Sequence, residues 1–480
     1  MRRRPASHPR RLAPLALALA LAGCATGPDY VRPALELPER FALTDPAARP
    51  IPSGQRWWAL YADPVLDRLI DEALAHNTDA QVAAARVLEA RALAGVADTD
   101  RYPVVGANLG GRRSQSSRET ATAFPAGQPR VSNNFRATLD VSWELDFWGK
   151  YRRASEAARA DLLAEEAARD GVRLAVTAEL ARQYFALLAA DAQLATIDRV
   201  FASRDETLRL TRQRVDAGVS SDYDLRLAEA ELASARSQRA GLQRDQETLE
   251  SAIAILLGRS PRAALEGRIE RTAQSGQSVE TGLPPPVIPA GLPSELLSRR
   301  PDLREAEQRL VAANARIGAA KAEYFPAVTL TGFLGSESAE LSNLFTGPAG
   351  IFQFALGLAQ PIFNAGRLGF TTAAAEARRD QALAGYRRAV ANAFGDVRNA
   401  LAAQRAAHET REAESARARS LRQALGLAEQ RYEAGIASRL EILDAERGYL
   451  AAELGRLDAE RAGRAAVADL VRALGGGWEN

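Results

Sequence analysis

The side chains able to do chemistry are few. The 480-residue chain has three histidines, His8, His76 and His408, and one cysteine, Cys24. Scattered so widely, they make no zinc or transition-metal ligand set. There is no phosphate-binding loop, no glycine-rich dinucleotide fingerprint and no nucleophile elbow, so neither catalysis nor a cofactor is expected. What does cluster is a group near 432 to 447. Leu440 and Asp444 are four residues apart, so on a helix they share a face; Arg447 lies three beyond Asp444, and Tyr432 closes the preceding helix. Repeated on a symmetric axis, such a face becomes a ring of apolar groups beside a ring of like charges. Gly218 and Gly435 end Arg214-Val215-Asp216-Ala217-Gly218 and Arg431-Tyr432-Glu433-Ala434-Gly435, where left-handed caps would allow tight helix reversals.

Composition sets the frame for these groups. With 46% hydrophobic and 25% charged residues the chain folds as one large domain or two to three ordinary ones. The formal charge of +2 includes Arg2, Arg3, Arg4, Arg10 and Arg11, which precede residue 24 with no acid among them. The remainder is slightly acidic and offers no electrostatic footprint for nucleic acid. Residues 1 to 23 read as a secretory signal: an Arg-rich start, an apolar stretch from 12 to 22, then small residues. Leu21-Ala22-Gly23-Cys24 resembles a bacterial lipobox, in which Cys24 becomes the first mature residue and carries N-acyl and S-diacylglycerol chains. At about 0.8 kcal/mol per buried methylene such chains form a lasting anchor. Ala25 in place of Asp is associated, by the same resemblance, with sorting to the outer membrane. The plainer alternative is a lone buried cysteine behind an ordinary signal.

An internal duplication organises the rest. Residues 149 to 258 lie on a second copy at a constant offset of 217, pairing Gly149-Lys150 with Gly366-Arg367, the two Gly-ended turns with each other, and Leu257-Gly258 with Leu474-Gly475. Upstream, Tyr102-Pro103 matches Phe325-Pro326 at an offset of 223. Each copy reads as a helix ended by proline, two short segments, a long helix, a glycine turn and a returning helix.

The long segments are helical by period. Leu180, Leu187, Leu194, Phe201, Leu208 and Val215 recur every seven residues, a coiled-coil-like seam. The second copy keeps a looser spacing through Leu383, Tyr386, Val390, Phe394, Val397 and Leu401. At 1.5 Å per residue the long helices reach about 100 Å and the returning helices about 60 Å. Helices near 78 to 100 and 301 to 323 have the length to cover the difference by stacking end to end with the returning ones. A compact bundle has no need of such lengths.

The short segments are strands. Phe135, Ala137, Leu139, Val141, Trp143, Leu145 and Phe147 alternate with Arg136, Thr138, Asp140, Ser142, Glu144 and Asp146. That period suits a transmembrane β-strand with one face in lipid and one in water, although a soluble sandwich uses the same pattern. Partner strands are expected at about 103 to 113, 132 to 147, 326 to 335 and 351 to 364. No mature segment is a transmembrane helix, so a membrane span must be a closed barrel, and four strands cannot close one around a pore. Several chains must share it; three would give twelve strands, and four copies are not excluded by counting.

These residues resemble the TolC-like outer-membrane efflux protein family, in its NodT or OprM-like lipoprotein branch. The resemblance covers essentially the whole mature chain. It rests on Gly23-Cys24 followed by Gly27-Pro28-Asp29-Tyr30-Val31-Arg32-Pro33, on Trp57-Trp58 with the run from Tyr61 to Ile70, on Arg299-Arg300-Pro301-Asp302-Leu303-Arg304-Glu305-Ala306-Glu307, and on the two turn motifs. It implies a mixed, mainly α fold: a homotrimer with four transmembrane strands per chain, a long α-helical periplasmic barrel and an equatorial belt. The belt would draw on both termini and on the segment holding Pro284, Pro285, Pro286, Pro289 and Pro293. The implied organisation is a signal at 1 to 23, a lipid-anchored extended segment at 24 to 62, a first repeat at 63 to 258, an equatorial linker at 259 to 300, a second repeat at 301 to 475 and a tail at 476 to 480. The implied partners are a periplasmic adaptor, an inner-membrane transporter of the RND type and outer-membrane lipid.

The implied activity is that of a passive exit duct for drugs or other small molecules. Positions matching Tyr432, Leu440 and Asp444 line the periplasmic constriction of the branch, that matching Arg447 joins its salt-bridge lock, and Glu441 matches an acidic position in TolC. Gly218 and Gly435 would lie at the adaptor-contacting tip, and Trp143, Phe147 and Trp148 in an aromatic girdle. The offset of 217 places Val215, Tyr223, Leu227 and Ala230 at the equivalents of Tyr432, Leu440, Asp444 and Arg447, so the first copy lacks this constellation. Pro301, Asp302 and Glu305 also make an ordinary helix start, and Trp57 and Trp58 read as packing anchors. Two other functions stay open here: an exit channel for type I protein secretion, and a non-channel coiled-coil spacer, which would not need the alternating strand.

Overall fold

In a computed structural model of the chain, the residues described are 26–38, 56–117, 119, 129–271 and 295–476. Cys24 and the proline-rich part of the linker lie outside them. In chain order the elements are a 3-10 turn (Trp57–Tyr61), α1 (Pro64–His76), α2 (Thr78–Thr99), β1 (Val104–Gln115), β2 (Val131–Leu145), α3 (Lys150–Asp216), α4 (Asp222–Leu256) and α5 (Pro261–Glu266). After the linker come α6 (Leu296–Arg299), α7 (Pro301–Ala322), β3 (Ala327–Ser338), β4 (Gly350–Ala359), α8 (Arg367–Glu433) and α9 (Arg439–Ala473). The expected succession of elements is present, and the lengths match in pairs: α3 and α8 have 67 residues each, α4 and α9 have 35, and α2 and α7 have 22. No helix among the described residues is long and apolar enough to cross a membrane.

The chain divides into two compact units. One comprises residues 1–34, 87–165 and 306–386. It holds a four-stranded antiparallel sheet, in the order β1-β2-β3-β4. Its helical part is packed through small residues: Ala157 and Ala160 of α3 bury against Ala312 and Ala315 of α7, with Val311 beside them. Side chains this short let helix backbones approach closely, and charged pairs flank the contact. Asp98 of α2 accepts from both the Arg159 guanidinium, at 2.8 and 2.9 Å, and the Ser155 hydroxyl at 2.5 Å. These hydrogen bonds, Arg159 first, hold the Asp98 carboxyl below the usual range.

An extended N-terminal strap lies along one face of α7 in this unit. The Thr26 amide and hydroxyl both donate to the Trp148 carbonyl, at 3.2 and 2.9 Å. Asn314 donates to the Pro28 carbonyl at 2.8 Å, and Glu307 accepts from the Tyr30 hydroxyl and, at 2.6 Å to each oxygen, from Arg32. Arg153, whose side chain is 7% exposed, ties the strap to α3 through Asp29 at 2.6 Å and the Thr26 carbonyl at 3.3 Å. Residues 307, 314 and 318 are one helical face, so the strap follows a groove rather than a point.

The other unit comprises residues 35–86, 166–305 and 387–480. Its core gathers Trp57, Trp58, Leu66, Leu69 and Ile70 with Leu180, Tyr184 and Leu187 of α3, Ile253 and Leu257 near the end of α4, and Val467, Leu470 and Val471 of α9. Trp57 and Trp58 are packing anchors: Trp57 is fully buried and donates to the Thr177 hydroxyl at 3.4 Å. Asp63 caps α1 by accepting from Val65 and Leu66 amides, and it takes the Tyr184 hydroxyl at 2.9 Å. The seven-residue seam is buried at Leu180 and Leu187 and half-buried at Leu194, Phe201, Leu208 and Val215.

Two junctions in this unit bring helices end to end. Asn77 caps α2 through the Ala80 amide at 2.9 Å while its own amide donates to the Leu256 carbonyl, at the last residue of α4, at 2.9 Å. At the other junction, Arg300 donates to the Ala473 carbonyl at the end of α9 at 2.9 Å and grips Asp302 and Asp396, just before α7 begins. A glycine ends the returning helix at each junction. Gly258 has φ 68° and a Cβ there would stand 2.0 Å from the His76 carbonyl oxygen; Gly475 has φ 89° and would place one 2.9 Å from the Arg299 carbonyl.

Candidate functional site: a two-faced sheet and a charged helix end

The sheet's pairing register assigns every strand residue to a face. Val105 pairs with Val141, Ala107 with Leu139 and Leu109 with Ala137 across β1 and β2. Leu139 continues to Leu334, Trp143 to Leu330 and Leu145 to Val328 in β3, and these to Phe352, Leu356 and Leu358 in β4. One face is thus apolar over all four strands. It is also bare: Leu109 is 79% exposed, Phe352 77% and Leu358 71%. Apolar side chains at this density on an open face require an apolar medium or a neighbour.

The opposite face is polar and internally bonded. Asn108 donates to Asp140 at 2.6 Å, the Thr138 hydroxyl donates to Asp140 at 3.1 Å, and Asn134 donates to Glu337 at 2.5 Å. Arg136 pairs with Glu337 at 3.5 Å and lies over the Phe333 ring at 4.3 Å. Both edges of the sheet, β1 and β4, are unpaired among the described residues. Open edges are templates for further strands.

β2 stops at Leu145, two residues short of the alternation read from the sequence, because Asp146 turns to cap α3. Its carboxylate accepts from the Tyr151 amide at 3.2 Å and the Arg152 amide at 2.7 Å. The three aromatics expected as a girdle consequently differ. Trp143 stands on the apolar face and donates to the Arg101 carbonyl at 3.0 Å. Phe147 is exposed in the turn past the strand. Trp148 donates to the Pro326 carbonyl at 2.8 Å and stacks on Phe325, with centroids 4.7 Å apart, so it packs beneath the sheet.

The other ends of the long helices carry the second site. Gly218 and Gly435 both have φ 74° and cap α3 and α8; the amides that follow, of Val219 and Ile436, reach back to the Arg214 and Arg431 carbonyls at 2.8 and 2.9 Å. Ser221 opens α4 and Ser438 opens α9, each hydroxyl accepting from the amide three residues on. Ser221 hydrogen bonds also draw the Asp224 carboxyl below its ordinary range.

The residues singled out from the sequence are brought together here in part. Leu440 and Asp444 are exposed on the first turns of α9, and Tyr432 is at the margin of exposure at the end of α8. Glu441 accepts from Arg431 at 3.1 Å and ties α8 to α9. Arg447 does not bond Asp444; it pairs with Glu231 of α4. The Glu231 hydrogen bond and then its charge push the Arg447 guanidinium up, with Asp444 adding only distant attraction. Glu231 is shared with Arg204 of α3 at 3.7 Å, and Arg204, 8% exposed, also pairs with Glu446 at 2.7 Å. Arg204, Glu231 and Glu446 thus extend the network to three helices. Sequence reasoning missed them: at an offset of 217 Glu231 falls on Gly448, so the repeat gives no signal.

A bare apolar sheet face backed by a hydrogen-bonded polar one, in a chain that also has paired 67- and 35-residue helices, fits an outer-membrane channel. The structure of the Campylobacter jejuni CmeC outer membrane channel superposes with a TM-score of 0.89 at 25% identity, covering 95% of this chain and 96% of that one. The cation efflux system protein CusC of Escherichia coli is 34% identical over 98% of this chain and 99% of its own length. The probable outer membrane lipoprotein SilC of Salmonella typhimurium is 33% identical over 95% of this chain and 96% of its own. The sequence profile described as outer membrane efflux protein matches residues 69–259 and 292–476, and the chain belongs to that family. It is an outer-membrane channel of a tripartite efflux pump, sited in the outer membrane. Members of the family are efflux channels, not enzymes.

Proposed function

We propose that three copies of this chain close a twelve-stranded barrel through the β1 and β4 edges, and that drugs or other small molecules leave through it passively. The observation that carries this reading is the two-faced sheet with two open edges. The bare apolar face calls for lipid rather than water, open edges cannot be satisfied in lipid, and edge-to-edge closure in lipid meets both demands. A cyclic assembly uses one edge contact throughout, and a trimer is the copy number the family resemblance implies. The paired element lengths support an internal duplication, so that three chains supply six equivalent helical hairpins.

In this reading Cys24 carries the acyl chains, and the strap that follows it is fastened at Thr26 to the Trp148 carbonyl. A periplasmic adaptor meets the turns at Gly218 and Gly435, and an inner-membrane transporter of the RND type supplies the energy. Leu440 and Asp444 form an apolar and an anionic ring at the entrance, with Tyr432 beside them. The Arg447, Glu231, Arg204 and Glu446 network, together with Arg431 and Glu441, holds the rings narrow until partner binding releases it.

The test is planar-bilayer recording of the purified, lipidated protein, with its mass in detergent measured on the same preparation. Stable trimers with small conductances that rise in Asp444→Ala with Arg447→Ala are expected. Monomers without conductance would overturn the barrel.

A further inference from the structure

The polar face of the sheet holds its charges in unequal balance. By register it presents Arg112, Arg136, Asp140, Glu144 and Glu337 among the described residues. Arg136 and Glu337 neutralise each other at 3.5 Å. Glu144 is matched by Lys150 at 3.3 Å and also accepts the Tyr151 hydroxyl. Asp140 has no such partner. One oxygen, Oδ2, accepts from Asn108 and Thr138, both neutral, and no cation among the described residues lies within ion-pair distance.

Its row of the sheet gives it no cover. Across the four strands the row reads Gly106, Asp140, Phe333, Gln353. Gly106 has no side chain, and a Cβ added there would touch nothing within 4 Å. Phe333 presents a ring whose face already holds the Arg136 guanidinium, which demonstrates its affinity for cations. Arg112, the remaining uncompensated charge, is six residues further along β1, about 20 Å at the rise of a strand. That exceeds the Debye length of about 10 Å at 0.1 M salt, so the two act separately.

We infer that Asp140 is a selectivity residue of the barrel: repeated around the three-fold axis, it forms an anionic ring on the conduit wall that favours inorganic and small organic cations over anions. The inference rests on the trimeric channel reading and adds a second filter, built on different residues from the helix-end rings. Three unit charges at about 10 Å in water, attenuated over one Debye length, enrich cations roughly twofold and deplete anions to a similar degree. The effect fades towards 1 M salt, where the Debye length is about 3 Å.

The experiment uses the full lipidated chain with its helix-end rings neutralised by Asp444→Asn and Arg447→Ala, so that the barrel is what remains to discriminate. Reversal potentials are read in a KCl gradient centred near about 0.1 M. That background is expected to favour K⁺. Asp140→Asn, which preserves the shape and the accepting oxygen, should lower the cation-to-anion permeability ratio at least about twofold. Gly106→Asp, which adds a carboxylate in open space in the same row, should raise it and does not depend on Asp140→Asn assembling. Conducting trimers whose reversal potential ignores both substitutions overturn the inference and leave the channel standing. Absence of conductance in every variant, the unsubstituted chain included, overturns the channel reading and this inference with it.

Discussion

Removing the charge of Glu231 is the most direct way to test whether the helix-end network sets the closed state. Glu231→Gln keeps the side chain's size and deprives Arg447 of its carboxylate and Arg204 of one of its two. Arg447 is 52% exposed, so its pair belongs with those worth at most about 1 kcal/mol. Arg204 is nearly buried but keeps Glu446 at 2.7 Å, which limits the added penalty. About 1 kcal/mol per chain, released together in three chains, is about 3 kcal/mol. At 1.4 kcal/mol per decade this moves the closed-to-open ratio roughly a hundredfold. Single-channel open probability reads this directly, and low ionic strength should widen the gap between wild type and variant because the Arg447 pair is solvated. Arg447→Ala should have a similar effect, and the double substitution should add little, since both remove one interaction. If Arg447→Ala opens the channel while Glu231→Gln leaves it closed, Arg447 holds the closed state through some other group and the network is not the lock.

Further outcomes follow from the cores and the junctions. Trp57→Ala deletes a fully buried indole and should cost about 3–5 kcal/mol, read as a lowered denaturation midpoint in detergent. Gly258→Ala combines a positive φ with a carbonyl 2.0 Å from the new Cβ and should cost at least about 2 kcal/mol, whereas Gly241→Ala, in open space on α4, should be neutral or stabilise by up to about 1 kcal/mol. Asp98 has a depressed carboxyl, so its contribution is complete above the unfolded carboxylate pKa of about 3.9 and is lost as pH falls through the lower folded value. Asp98→Asn should therefore be less stable than wild type at neutral pH and equal to it at the acid end, measured as thermal midpoint against pH.

Periodic features were legible and long-range polar partners were not. The alternation from 135 to 147 foretold β2 and the faces of its neighbours, because a strand's period of two is written locally. Its end at Leu145 was not foreseen, since nothing local shows that Asp146 will cap the next helix. Glycines at 218, 258, 435 and 475 marked the helix ends because only a positive φ suits those turns. The end-to-end junctions were anticipated from length alone, but Asn77 and Arg300 as the groups that weld them were not. Glu231 opposite Arg447, Asp98 opposite Arg159, and Glu307 beneath Arg32 join residues tens to hundreds apart. No repeat or period connects such pairs, and each exists only once tertiary packing has brought its helices side by side.

The strap has a consequence for the timing of assembly. Its residues, Thr26 to Arg32, leave the ribosome early, yet the helical groove that receives them is formed by Glu307, Asn314 and Gly318, nearly three hundred residues later. For most of biosynthesis the leading end has no berth. Closing so long a loop is slow, and each doubling of its length adds about 0.6 kcal/mol of entropic cost. A tether on that end would shrink the volume it must search. A segment made early is therefore among the last to find its place.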